Sequence, residues 1–207
     1  MKILKETISK LGNKIELQGN DNYKPILVIG VFHGDEPQGD FLIKEYIKSN
    51  QNSEMLFIPC LNPDGMSLKT RQNANGVDLN RNFPTANWEK VEDKIFYGGE
   101  KPSSEIETKF MVDVIQEYKP KVILSLHAPF CTVNYDGDAL IYAEKISEII
   151  NYPVQEDIGY PTPGSFGTYC GVERNIPTIT LELDENIDVK RLIQPVHKIF
   201  DYLNSVI

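Results

Sequence analysis

The sequence predicts an α/β fold, a mixed twisted β-sheet flanked by helices, and three observations carry that prediction. Short apolar runs alternate with amphipathic stretches along the whole chain. At 207 residues the chain suits one domain and is short for two ordinary ones. Hydrophobic residues make up 41% and charged residues 25%, the balance of a globular chain that buries a core without disulfide staples.

The elements follow in order. Residues 26–31 are an apolar run read as a buried strand, and Phe41, Leu42, Tyr46 and Ile47 line one face of a following helix. Residues 55–59 read as a second strand. From 62 to 101 the chain turns polar, rich in Asn, Asp and Gly, with little periodicity; loops this long in compact domains are usually functional or disordered. Ser104-x-x-Glu107 reads as a capping box, opening a helix with an apolar face through Ile106, Phe110, Met111, Val114, Ile115 and Tyr118. Residues 122–126 read as a strand. Residues 139–150 read as a helix with Leu140, Ala143, Ile146 and Ile150 inward, and 179–183 as another strand. Over 189–203 the period is helical, with Leu192, Val196, Ile199 and Leu203 aligned. Pro195 is expected to kink that helix or mark where it restarts.

Charge and cysteine usage narrow the partners. Lys plus Arg number 21 against 30 Asp plus Glu, a net charge of -9, which argues against nucleic acid or an anionic membrane as partner. No run of about 18 apolar residues exists to span a bilayer. The segment from Met1 to Glu6 lacks the continuous apolar stretch of a signal peptide. Cys60, Cys131 and Cys170 are an odd number without a Cys-x-x-Cys pair, read as reduced thiols. The expected location is the cytoplasm.

Polar residues fall at the ends of the predicted strands. His33 follows the first, Asn62 and Asp64 the second, His127 the third, and Glu182 lies in the fourth. In an open α/β sheet the carboxyl ends of the strands form the ligand crevice, so residues a hundred positions apart can meet there. His33 and Glu36 form a His-x-x-Glu pair that can face one cation, and a third ligand at His127 leaves the open position of a catalytic zinc site. Such ligands also suit iron or cobalt, and His-x-x-Glu alone recurs by chance. His197, in the C-terminal helix, reads as an ordinary helix residue. Asn80 and Arg81 can take a carboxylate through charge-assisted hydrogen bonds; in isolation the same loop reads as solvated, with a surface arginine. Glu182 sits in a segment too apolar to expose it casually, and a carboxylate beside a metal-activated water is what a hydrolase needs as general base.

The ordered set His33-x-x-Glu36, Asn62-Pro63-Asp64-Gly65, Arg71, Asn80-Arg81-Asn82-Phe83-Pro84, His127 and Glu182 resembles the zinc metallocarboxypeptidase family. The stretches 71–88, 101–108 and 159–170 resemble its murein peptide amidase branch, and the likeness runs in order over residues 25–185. The resemblance implies one catalytic domain over residues 1–207 and one zinc ion per chain on His33, Glu36 and His127. It implies Arg71 at the oxyanion, Asn80 and Arg81 on the terminal carboxylate of the substrate, and Glu182 as general base and proton shuttle. Tyr160 matches a mobile tyrosine that closes over substrate, in a loop one residue shorter than in pancreatic-type enzymes, and Phe166 lies near the side-chain pocket position. Ala128-Pro129 follows His127 where the branch tends to have Asp, a departure that touches a supporting or specificity contact and not the metal.

The implied substrate is a small peptide with a free carboxylate, and the implied bond is the γ-D-glutamyl–meso-diaminopimelate amide of murein tripeptide, released in cell-wall turnover. A general D,L- or L-carboxypeptidase, or a deacylase of N-acyl amino acids, fits the same metal site. A catalytically inactive zinc-containing module that binds peptides is the non-enzyme alternative; an intact Glu182 argues against it.

Overall fold

The computed structural model describes residues 1–156 and 159–207. Eight strands form one mixed sheet: β1 (Lys2–Ile8), β2 (Lys14–Gly19), β3 (Ile26–Gly30), β4 (Leu56–Ile58), β5 (Val122–His127), β6 (Thr132–Asp136), β7 (Val154–Gln155) and β8 (Thr178–Glu182). Their spatial order is β1-β2-β4-β3-β5-β8-β6-β7. The central four, β4-β3-β5-β8, run parallel, and β2 and β6 flank them antiparallel. Among the described residues there are five α-helices: α1 (Gln38–Ser49), α2 (Pro63–Leu68), α3 (Ile106–Tyr118), α4 (Leu140–Ile150) and α5 (Ile193–Val206).

Strand periodicity divides the core into two. In β3 every residue is buried, as a parallel strand covered on both faces requires. Ile26 and Val28 point into one layer with Leu42, Ile43, Ala143, Ile146, Val196 and Ile199 of α1, α4 and α5. Leu27 and Ile29 point into the other, against Phe110, Met111, Val114 and Ile115 of α3 and against Phe83 and Phe166 from loops. The helices thus leave the carboxyl ends of β3, β5 and β8 free to carry the polar groups.

Several local expectations change. The N-terminal hairpin β1–β2 and the strand β6 were not legible in the apolar pattern. Ser104 does not cap α3: the helix begins at Ile106 with Glu105 in extended geometry and no side-chain cap, while Ser104 Oγ donates to Glu105 Oε1 and accepts from Asn82 Nδ2. Ile106 and Leu140 are exposed rather than inward, because each opens its helix where the chain is still leaving the surface. Pro195 lies in the first turn of α5, just after a 3-10 turn over Val189–Leu192, so it marks the restart, where no intrahelical N–H is needed. The polar stretch 62–101 is ordered throughout and includes α2 and a 3-10 turn at Leu79–Arg81.

Candidate metal centre and its cleft

The loop leaving β3 carries the first two ligand candidates, and its neighbours fix its path. Val31 adopts a left-handed backbone (φ 56°), uncommon for a β-branched residue, and turns the chain sharply out of the strand. Its carbonyl accepts from Asn62 N at 2.9 Å. Asn62 caps α2 by accepting from Gly65 N, and its amide donates to the carbonyls of Phe32 and Arg71. Gly34 presses so closely on the backbone at Gly65 that an added Cβ would lie 1.9 Å from the Gly65 carbonyl carbon. Only glycine fits there. Phe32 inserts under the site, stacked on the His127 ring at 5.2 Å and packed against Phe83 and Phe166.

His33, Glu36 and His127 are all buried, and one donor atom from each lies within 4.8 Å of the others. His33 Nδ1 is 2.7 Å from Glu36 Oε1, and His127 Nδ1 is 3.1 Å from Glu36 Oε2. Ala128 N also points at Glu36 Oε2, at 3.3 Å, so the residue after His127 supports this cluster through its backbone. Two imidazole nitrogens and a carboxylate converging in a buried pocket are the donor set of a catalytic zinc site, and the residues present fit that ion. Burial opposes a charge on His33, but the neighbouring Glu36 and Asp78 carboxylates outweigh it and raise its pKa to about 9. Burial would raise Glu36, yet His33 and His127 hold its carboxyl well below the usual range.

Sequence reasoning did not single out Asp78. Fully buried, it lies 3.2 Å from His33 Nε2 through Oδ1, while Oδ2 accepts from Arg71 Nε at 3.0 Å and Nη2 at 2.9 Å. It also accepts from Asn80 N. Its signal was an acid between two apolar residues, Val77 and Leu79, in a loop read as polar. Asp64 is drawn away from the cleft, holding the β1–β2 turn through Ser9 Oγ, Leu11 N and Asn13 Nδ2.

Glu182 ends β8 directly beside His127, its register partner at the end of β5. Its Oε2 is buried and has no hydrogen-bond partner among the described residues. Burial raises its pKa above the ordinary carboxylate value, and the opposing pull of His127 does not offset it. A buried carboxylate oxygen with nothing to bind, aimed at a ligand cluster, is poised to take a proton.

Two compartments adjoin the cluster. One, about 120 Å³, is lined by Asn80, Arg81, Asn134, Asp136, Thr180 and Glu182, together with the three ligand candidates. The other, about 420 Å³, is lined by Asp35, Ile95, Phe96, Pro129 and Glu185, and the two share Glu36, Arg71, Ala128, Phe130 and Tyr160. The Arg71 and Arg81 guanidinium groups sit over the Phe96 ring at 5.7 and 5.5 Å. Arg81 Nη1 donates to Asn80 O, and Asn80 Oδ1 accepts from Phe166 N. Tyr160, exposed, lines the same compartment as Arg81, and its ring lies 6.1 Å from the Phe96 ring. Phe166 does not line the cleft: it is 2% exposed in the aromatic core, and its neighbours Ser165 and Gly167 form the wall instead. Burial pushes the Cys60 thiol up to about 12 and Cys170 well above its usual value, which leaves neither a ready nucleophile.

Comparison with known proteins agrees with the geometry. The sequence profile described as zinc carboxypeptidase matches residues 5–157. Murein peptide amidase A of Escherichia coli K12 is 34% identical over 170 residues, covering 75% of this chain and 69% of that protein. The enzyme of the same name from Vibrio campbellii is 38% identical over 135 residues, covering 59% and 54%. The crystal structure of murein-tripeptide amidase from E. coli O157 superposes with a TM-score of 0.85 at 29% identity, over 95% of this chain and 89% of that one. Thrombin-activatable fibrinolysis inhibitor, at 16% identity and a TM-score of 0.79, over 99% of this chain and 70% of its own, shares the fold. With the profile spanning most of the chain and a buried His-Glu-His trio in place, this chain belongs to the zinc carboxypeptidase family of metallopeptidases.

Proposed function

We propose that this chain is a zinc-dependent murein tripeptide amidase, cleaving the amide between γ-D-glutamate and meso-diaminopimelate. The observation that carries the hydrolytic reading is Glu182, whose orphaned oxygen sits beside the His33–Glu36–His127 trio. The substrate follows from likeness to murein peptide amidases of known name. One zinc ion per chain would be held by His33, Glu36 and His127. When bound, zinc supplies Lewis-acid polarisation and makes water acidic near neutral pH.

The protein's own groups then divide the work. Glu182 takes a proton from the attacking water and delivers it to the nitrogen of the leaving amine. Arg71, braced by Asp78, offers guanidinium N–H groups to the oxygen that becomes negative in the tetrahedral state, a contact typically worth about 3 kcal/mol per donor. Arg81, with Asn80 beside it, binds the free carboxylate next to the scissile amide and sets which bond is presented. Tyr160, on the same lining as both arginines, closes the cleft above the substrate. One catalytic domain and a cytoplasmic location suit recycling of imported wall fragments; among the described residues no helix is long and apolar enough to cross a membrane.

The test is product analysis. Zinc-loaded protein is incubated with L-Ala-γ-D-Glu-meso-diaminopimelate and with ordinary α-linked peptides, and the products are identified by mass. Free diaminopimelate from the tripeptide alone supports the reading. Release of C-terminal residues from ordinary peptides, with the tripeptide intact, would make the chain a general carboxypeptidase.

A further inference from the structure

The face that β6 and β8 turn toward the cleft is a polar ladder. Thr132, Asn134 and Asp136 of β6 pair in register with Glu182, Thr180 and Thr178 of the antiparallel β8, while Val133, Ile179 and Leu181 go to the core behind. Two of the three threonine hydroxyls on this ladder have partners. Thr178 Oγ1 donates to Ile176 O at 2.8 Å, and Thr180 Oγ1 lies 3.3 Å from Ser125 Oγ. Thr132 Oγ1 has none among the described residues, although the residue is only 5% exposed. A buried hydroxyl without a hydrogen bond costs stability, and valine, of the same shape and well suited to strands, would avoid that cost.

The register partner of Thr132 is Glu182, whose Oε2 is likewise buried and without a partner among the described residues. A donor and an acceptor, both orphaned, thus belong to side chains directly opposite each other. Opposed residues in an antiparallel pair have Cβ atoms about 4.5–5.5 Å apart on one face of the sheet. At that spacing a rotamer change brings a threonine hydroxyl and a glutamate carboxylate into hydrogen-bonding distance without moving the backbone. The sheet therefore flanks Glu182 on both sides, with His127 of β5 on one and Thr132 of β6 on the other.

We propose that Thr132 is a positioning residue for Glu182, its hydroxyl holding the carboxyl group through both tasks of the base. The inference rests on the proposed role of Glu182 as general base. A hydroxyl donates to a carboxylate oxygen and equally to the carbonyl oxygen of a carboxylic acid. The contact therefore survives the transfer of a proton from water to Glu182 and its delivery to the leaving amine, and the hydroxyl keeps its own proton throughout. Anchoring one carboxyl oxygen fixes where the other faces.

The experiment measures zinc content, kcat and KM of Thr132→Val, Thr132→Ser and Thr132→Ala on L-Ala-γ-D-Glu-meso-diaminopimelate. Thr132→Val is expected to keep zinc and KM while kcat falls by on the order of 10- to 100-fold, the range of a hydrogen bond to a charged group; Thr132→Ser stays within about threefold of wild type. Thr132→Ala, which differs from Thr132→Ser only in lacking the hydroxyl, should fall with Thr132→Val. Wild-type kcat in Thr132→Val overturns the inference, and so do equal losses in the Ser and Ala variants, which would assign the effect to packing. If Thr132→Val fails to fold, the comparison of Ser with Ala decides alone. A urea-unfolding cycle of Thr132→Val and Glu182→Leu on zinc-loaded protein separates this question from the amidase reading. If the wild type leaves the tripeptide intact, the amidase reading fails and the cycle decides: non-additive midpoints support the Thr132–Glu182 contact, and additive ones overturn it.

Discussion

His127 and Glu182 are register partners at the carboxyl ends of the parallel strands β5 and β8. Opposed residues on neighbouring strands project from the same face, about 4.8 Å apart along the hydrogen-bonding direction. Leu183 N donates to His127 O at 2.8 Å, which locks the pair one residue beyond Glu182. The spacing between a metal-ligand candidate and the candidate base is therefore set by the sheet itself, not by a flexible loop.

From this pairing comes the first prediction. Glu182→Gln preserves shape but removes basicity, so fold and zinc content are expected to persist while kcat falls by about 10²- to 10⁴-fold. Turnover and elemental analysis on the same preparation check it. Near-normal kcat with zinc retained would move the base to another group.

Asp78 should control metal affinity from outside the ligand trio. It holds His33 through Nε2 and braces Arg71. Partners of this kind typically change metal affinity by about 10- to 100-fold when removed. Asp78→Asn is expected to weaken zinc by that amount in a chelator competition, whereas His127→Ala loses nearly a full equivalent. Wild-type affinity in Asp78→Asn would show that the contact does not orient the ring.

Arg81 separates an enzyme anchored by a carboxylate from a looser amidase. Amidating the carboxylate next to the scissile bond removes a charge-assisted contact worth roughly 1.5 to 3 kcal/mol, or about 10- to 150-fold in kcat/KM. Arg81→Met is expected to lose a similar amount on the native substrate and little more on the amidated one. Non-additivity in that double cycle identifies the contact. Independent, additive losses would mean that Arg81 holds something else.

Asp136 carries a signature in stability. Burial alone raises its carboxyl from 3.8 to about 6. With the folded value above the unfolded one, the folded chain binds the extra proton between those values. Stability therefore falls as pH rises from about 4 through 6, and the loss persists at higher pH. Asp136→Asn removes the penalty and is expected to stabilise the free protein by on the order of 1–3 kcal/mol at pH 8 and very little at pH 4. Urea midpoints at the two pH values measure it; an equal shift at both would assign the effect to packing.

What the sequence disclosed depended on whether apolar pattern and position coincided. Residues in β3, β4 and β5 form near-continuous apolar runs because both faces of the sheet are covered there, and β8 alternates Thr178 and Thr180 with Ile179 and Leu181. The polar groups at or just beyond their ends could then be assigned to one crevice. The β1–β2 hairpin lies at the sheet edge and is half exposed, so its pattern is diluted. In β6, Thr132, Asn134 and Asp136 alternate with Val133 and Tyr135, but two apolar residues in so short a strand do not stand out from loop sequence. The Asn-rich loop is ordered by amides acting on backbone: Asn82 alone donates to Gly98 O, Lys101 O and Ser104 Oγ and accepts from Glu105 N. Composition does not distinguish such staples from solvated asparagines.

The Gly34–Gly65 contact bears on how the enzyme acquires its metal. The loop bearing His33 and Glu36 is wedged against α2 by a backbone approach that tolerates no side chain, and Asn62 ties its carbonyls down. These restraints are protein against protein. Folding and metallation are therefore separable events: the polypeptide can mature first and be loaded afterwards. Chelation at neutral pH should return a cooperatively folding chain, with Tm lower only by the mass-action increment of the lost ligand. Refilling it with cobalt or another divalent ion then becomes a one-step exchange, giving a spectroscopic window on the two histidines.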